Sequence, residues 1–162
     1  MLKTLNASIE VNSEVTKNIR IAIIRTDYHQ EMLKRLEQKC RETLQNHHVS
    51  EEHIKTFIVP GSWEIPVAAR TAAESKKFDV IIAFGIILKG QTYHFEMIAN
   101  ECARAMMQLS LNYGIPIINE VLAVNDMRHA EERSGLDDKN KGIEAATAAL
   151  KIFATLEKIK HE

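Results

Sequence analysis

The stretch FDVIIAFGIILKGQTYHF, residues 78–95, changes character sharply at Lys89. Its first part, FDVIIAFGIIL (78–88), is an apolar run with the length and content of a strand buried on both faces. Beyond it, apolar residues recur at Phe95, Ile98, Ala99, Cys102, Met106 and Leu109, the spacing of one helix face. Between them lies KGQTYH (89–94), too polar for either element. The segment therefore predicts a strand, a polar loop and a helix, with the strand in the interior of a sheet covered on both sides.

The rest of the chain repeats that unit. IRIAII (19–24) reads as a strand, and residues 29–46 as an amphipathic helix through Met32, Leu33, Leu36, Cys40 and Leu44. IKTFIV (54–59) is the next strand, followed by a helix in the seventies. After the helix from Phe95 comes a strand over 116–124, interrupted by Asn119 and Glu120, and then two helical stretches ending near Lys160. Residues 5–11 alternate apolar and polar side chains and predict an arm that adds an edge strand. Alternating strands and helices imply parallel strands joined by right-handed crossovers. The fold expected is α/β: a three-layer sandwich with a central, mainly parallel four-stranded sheet flanked by helices. An N-terminal arm, 1–18, precedes a single domain, 19–162.

Bulk properties narrow the function. The 162 residues fit one domain on a prior of roughly 100–200 residues per domain. A net charge of −1 gives no electrostatic case for a nucleic-acid or membrane partner. Cys40 and Cys102 fall on apolar helix faces without metal-ligand spacing, and read as reduced core thiols. MLKTLNASIEV lacks an apolar leader core, and no run approaches the ~20 residues of a membrane span. A cytoplasmic, soluble, single-domain chain is expected.

In parallel sheets ligands bind at the carboxyl ends of the strands, so the segments after the strands carry the chemistry. They are RTDYH (25–29), PGSWEIP (60–66), KGQTYHF (89–95) and NDMRHAEERSG (125–135). Pro66 has no N–H and is tolerated only in a first helical turn. The helix therefore starts no earlier than Trp63, leaving the N–H groups of residues 62–65 without intrahelical acceptors. Gly61 lets the chain approach a ligand closely. Trp63 either packs as core or faces that ligand. In KGQTYHF, Gly90 and a helix N-terminus near Thr92 offer free N–H groups and a positive dipole end, which suit a phosphate. His94, in the first turn, carries an imidazole able to take and give a proton near neutrality. Arg133 before Gly135 is equally an ordinary helix-end cation, and Lys141 an ordinary loop charge. Asn119 and Glu120 point to opposite faces of their strand, so each needs a partner, a wet cleft or another subunit. His47, His48, His53, His129 and His161 show no ligand spacing and are assigned to the surface.

PGSWEIP, GIILKGQTYHFE, GIPIINEVL and AEERSG…NKG, in this order and spacing over about residues 19–160, resemble the lumazine synthase family of riboflavin biosynthesis. The resemblance implies a flavodoxin-like sheet and no cofactor. It also implies condensation of 5-amino-6-(D-ribitylamino)uracil with 3,4-dihydroxy-2-butanone 4-phosphate to 6,7-dimethyl-8-ribityllumazine. Carried onto matching positions, it implies that Tyr28 stacks on the pyrimidine and that Ser62 and Trp63 give backbone contacts to it. Glu64 would bind ribityl hydroxyls, and Ile86, Ile87, Leu88 and Asn119 would complete that substrate's pocket. Gly90, Gln91 and Thr92 would line the phosphate pocket, which Arg133 and Lys141 complete from a neighbouring subunit, and His94 would shuttle protons.

The chain also departs from the family pattern. Asp27 and Lys89 stand where arginine is frequent, and Gln91 where a small residue is. Asn119 and Glu120 replace a common phenylalanine and small residue. The Tyr28–His29 pair and the non-aromatic Asn119 resemble the variant branch of the family. Two readings follow: a working synthase, favoured by His94 and Arg133, and a catalytically weak paralogue that binds riboflavin or lumazine. The resemblance further implies a homo-oligomer with active sites at subunit interfaces. Residues 136–139 lack the internal glycine found in shell-forming members, and Asp137 and Asp138 place two carboxylates there. That predicts a homopentamer, single or stacked in pairs, in place of a closed shell.

Overall fold

The computed structural model describes residues 11–162, along which helices and strands alternate as the apolar periods require. A short helix α1 (Ser13–Thr16) precedes β1 (Ile21–Thr26), α2 (Gln30–Asn46), β2 (Ile54–Val59) and α3 (Ile65–Glu74). Then follow β3 (Val80–Leu88), α4 (His94–Tyr113), β4 (Ile117–Val124), α5 (Met127–Ser134) and α6 (Lys141–His161). All strand pairs are parallel, in the order β2–β1–β3–β4. The three-layer α/β sandwich expected from the sequence is the observed architecture. The strand expected for the arm falls on residues 5–10, outside the described residues, and on Val11, which is in no strand. The described helices include none long and apolar enough to cross a membrane.

Period-2 alternation divides the core into two layers. Ile21 and Ile23 of β1, with Ile82, Phe84 and Ile86 of β3, pack against α2 and α6 through Leu33, Leu36, Cys40, Ala145 and Ala149. Ala22, Ile24, Ile81 and Ala83 face the other way, onto α3 and α4 through Ala69, Ala72, Cys102 and Met106. β3 is buried over eight of its nine residues, which is why its sequence shows no alternation. α6 approaches α2 closely at Gly142, where a Cβ would stand 2.0 Å from the Leu36 carbonyl oxygen.

Two boundaries differ from expectation for identifiable reasons. β1 runs two residues further, so Arg25 and Thr26 belong to the sheet and not to the following loop. Arg25 is 6% exposed because its Nε donates to Glu37 Oε2 at 2.7 Å. Burial raises the Glu37 pKa, but hydrogen bonds from Thr56, Arg41 and Arg25 outweigh that and hold it below the usual carboxylate range. The cation is thereby neutralised inside the fold. β4 is not interrupted at Asn119 and Glu120. As an edge strand it tolerates Asn119 facing outward on the α4 side, with Oδ1 accepting from the Val121 N–H at 3.1 Å.

Candidate functional site

A cleft of about 580 Å³ opens at the carboxyl ends of β1, β2 and β3, bounded by the α4 N-terminus. Its floor is Ile86, Ile87 and Leu88, the last residues of β3. Tyr28, His29 and the turn 61–64 line it from the segments after β1 and β2, and His94 and Ile98 line it from α4. Eight of the residues singled out from the sequence thus meet in one cavity: Tyr28, Ser62, Trp63, Glu64, Ile86, Ile87, Leu88 and His94.

The turn after β2 is a single 3₁₀ turn, Ser62–Glu64, leading into α3 with Pro66 at its start. The Glu64 N–H donates to the Gly61 carbonyl (3.1 Å), and the Ile65 N–H to that of Ser62. Two of the four N–H groups expected to be free are therefore used, and those of Ser62 and Trp63 have no acceptor among the described residues. Trp63 is 58% exposed, which excludes the core reading. The turn is fixed from below in two ways. Cys102 of α4, its pKa pushed up to about 11 by burial, stays a thiol and donates to the Ser62 carbonyl at 3.3 Å. Gly85 of β3 lies beneath Ser62, where a Cβ would come 2.8 Å from Ser62 Oγ. At Gly61 the missing side chain leaves room for two neighbours: a Cβ there would be 3.2 Å from Glu64 Oε2 and 3.8 Å from the Tyr28 ring. An exposed aromatic face and a carboxylate are thus held side by side, a pairing suited to a flat ring bearing hydroxyls.

At the other end, α4 begins at His94 with Tyr93 as its cap. His94 is exposed at the first helical position and lines the cleft. Gly90, Gln91 and Thr92 form the exposed loop just before it. A Cβ on Gly90 would meet nothing within 4 Å, so no protein contact demands a glycine there. The Lys89 ammonium lies 3.3 Å from Glu96 Oε1. The Glu96 pKa is lowered, first by its own backbone N–H and, against burial, by Lys89. No lysine or arginine lines the cleft among the described residues.

The remaining candidates stand elsewhere on the chain. Arg133, in the last turn of α5, donates from Nη1 to the His129 carbonyl at 2.9 Å. Lys141 is the first residue of α6 and is paired with Glu144 at 2.5 Å. Asn119 is exposed on β4 and outside the cleft. Glu120 alternates with it onto the α6 side, where burial, partly offset by Lys141 and reinforced by Glu144, pushes its pKa up to about 7.

Two cleft residues, Thr26 and Ile98, were not singled out from the sequence, and His29 was named only for its pairing with Tyr28. Ile98 was within reach, being four residues after His94 on the same helix face. Thr26 was hidden by the misplaced end of β1. Its hydroxyl is buried without a hydrogen-bond partner among the described residues.

Comparison with known proteins adds to this geometry. The sequence model of 6,7-dimethyl-8-ribityllumazine synthase matches residues 18–157. A 6,7-dimethyl-8-ribityllumazine synthase from Xanthomonas oryzae pv. oryzae (strain PXO99A) is 39% identical over 138 residues, 85% of this chain and 90% of that protein. One of the same name from Acidovorax sp. (strain JS42) is 34% identical over 143 residues, 88% of this chain and 90% of its own.

Proposed function

The chain belongs to the 6,7-dimethyl-8-ribityllumazine synthase family, and from that premise we propose that its cleft joins 5-amino-6-(D-ribitylamino)uracil to 3,4-dihydroxy-2-butanone 4-phosphate. The activity is that of a transferase of riboflavin biosynthesis. One observation carries the assignment of substrates to walls. An exposed aromatic, a carboxylate and two N–H groups reach the apolar floor from the segments after β1 and β2, and the His94 imidazole reaches it from the α4 N-terminus.

The Tyr28 ring stacks on the pyrimidine, a contact worth roughly 0.5–1.5 kcal/mol beyond burial. The Ser62 and Trp63 N–H groups donate to its carbonyl oxygens, and Glu64 accepts from ribityl hydroxyls. Ile86, Ile87 and Leu88 exclude water beneath the ring. The pyrimidine amine attacks the ketone, water leaves and an imine forms. Loss of phosphate and attack of the second amine then close the ring, with loss of another water. His94 carries protons between these steps, a role typically worth about 10²–10⁴-fold in rate. The phosphate lies against residues 90–92. Because the cleft of one chain is lined by no cation among the described residues, Arg133 and Lys141 of an adjacent copy complete that half. Asn119 of the adjacent copy closes over the ring. The working unit is a cytoplasmic homo-oligomer with its sites at the subunit interfaces.

The test is incubation of the purified chain with both substrates while lumazine formation is followed optically. Turnover that falls 10²–10⁴-fold in His94→Ala supports the assignment. A wild-type chain that binds riboflavin but makes no lumazine would replace it with the flavin-binding reading.

A further inference from the structure

Glu120 is the one charged residue of β4, and it faces inward. Ile118, Leu122 and Val124 belong to the core layer beneath α2 and α6, so strand alternation turns Glu120 into that layer too. A carboxyl placed there needs a partner. That of Glu120 makes no hydrogen bond or ion pair with any described residue. Its register partner on β3 is the uncharged Phe84. The charged groups that act on it are Lys141 and Glu144 of α6, and α5 adds none. From α2, the Cys40 thiol lies within its electrostatic reach, and burial keeps that thiol protonated.

Lys141 lies between the two carboxyls. Its side chain is 16% exposed, and its only hydrogen bond among the described residues goes to Glu144 Oε2 at 2.5 Å. An ammonium has three N–H donors. Two therefore find no described acceptor in a largely buried place, where Glu120 is the second carboxyl to act with it. With Glu120 neutral, the charges of Lys141 and Glu144 cancel. With Glu120 ionised, the cluster is net negative and two carboxylates compete for one ammonium. Burial places the Glu120 pKa at about 7, so the two states exchange near neutrality.

The consequence falls on the phosphate half of the neighbouring cleft, given the function proposed above, on which this step rests. There Lys141 has to offer its charge to a dianion. An ionised Glu120 draws the ammonium back and repels that dianion, and a neutral one does neither. We propose that Glu120 is a positioning residue for Lys141: as a carboxylate it holds the ammonium to its own chain, and as a carboxylic acid it releases it to the phosphate in the adjacent copy's cleft. Phosphate binding and protonation of Glu120 therefore reinforce each other, and by linkage each strengthens the other by the same factor.

Kinetics between pH 6 and pH 8 test this in wild type, Glu120→Gln and Lys141→Met, with the double variant closing a cycle. Across that range the Michaelis constant for the butanone phosphate should rise about fivefold more in wild type than in Glu120→Gln, the lower end of coupling between sites. The constant for the pyrimidine should follow pH alike in both. Titration of the substrate's own phosphate is common to the two chains and drops out of the ratio. In the Lys141→Met background, Glu120→Gln should change nothing. Calorimetry with inorganic phosphate near pH 7.5, in two buffers of different ionisation enthalpy, should show more proton uptake by wild type than by Glu120→Gln, which a merely structural carboxyl would not produce. Equal pH dependence and equal proton uptake in the two chains overturn the positioning role, as does an effect of Glu120→Gln that survives in Lys141→Met. A wild type that makes no lumazine overturns the synthase reading and leaves proton uptake to decide on Glu120.

Discussion

Gly85→Ala tests whether the floor of the cleft positions its wall. The added Cβ would stand 2.8 Å from Ser62 Oγ, 3.4 Å from Val121 Cγ1 and 3.5 Å from Ile65 Cδ1. The last two are ordinary contacts, so the strain falls on Ser62 alone. Restoring 3.4 Å there requires 3.4 − 2.8 = 0.6 Å of movement. Ser62 is buried, and its carbonyl is held by the Cys102 thiol, so the relief must come from turning the hydroxyl or lifting the turn. A 1 Å misplacement of reacting groups can cost about 10²-fold, which scales to about tenfold for this displacement. The loss should appear in kcat/KM for the pyrimidine and leave the butanone phosphate less affected, because only the pyrimidine side moves. The double variant Gly85→Ala/Ser62→Ala removes the clashing Oγ and should return to the level of Ser62→Ala alone, a coupling that a double-mutant cycle reads directly. A Gly85→Ala enzyme with wild-type kinetics, or a double variant no better than Gly85→Ala, would refute the reasoning.

Glu120→Gln should raise Tm at pH 8 and leave it nearly unchanged at pH 4. The folded-state pKa near 7 lies above that of an unfolded glutamate, so the native protein holds a proton the unfolded chain has released. Stability is then lost as pH rises from about 4.3 towards 7, and the amide escapes that loss; equal shifts at both pH values would contradict it. Gly142→Ala drives a Cβ into the Leu36 carbonyl oxygen and should destabilise by about 3 kcal/mol, lowering Tm by roughly 6–12 °C in a thermal melt. An unshifted melt would mean that α6 can slide along α2. Light scattering should give 5 × 18.4 ≈ 92 kDa or twice that; an active monomer would remove the shared site, and a megadalton particle the reading of residues 136–139.

The fold was legible because its signals are local. A buried parallel strand announces itself by composition, and a helix by its 3.6-residue period, so β2 and β3 fell within two residues of their observed limits. Errors occurred where a distant partner changed the meaning of a residue. Arg25 looks like the polar end of a strand until Glu37, twelve positions later, neutralises it inside the sheet. Asn119 and Glu120 look like an interruption until β4 proves to be an edge strand, with Asn119 exposed on the α4 side and Glu120 facing α6.

The site divides along the same line. Strand-end reasoning located Tyr28, the 62–64 turn and His94, because parallel strands deliver their carboxyl ends to one side of the sheet by construction. It could not foresee the left-handed backbone of His29, since nothing in a sequence marks a non-glycine residue as left-handed. It also could not separate the residues that meet within one chain from those that do not. The cations show why that separation has chemical content. Arg25 is held by Glu37, Lys89 by Glu96 and Lys141 by Glu144, while Arg133 turns back on its own helix. The cleft as one chain furnishes it therefore offers an anion two imidazoles and a helix N-terminus but no lysine or arginine among the described residues. Arg133 is the easiest of the four to redeploy, because its guanidinium gives up one neutral carbonyl and not a carboxylate. Of these cations it is therefore the one whose release to another anionic partner costs least.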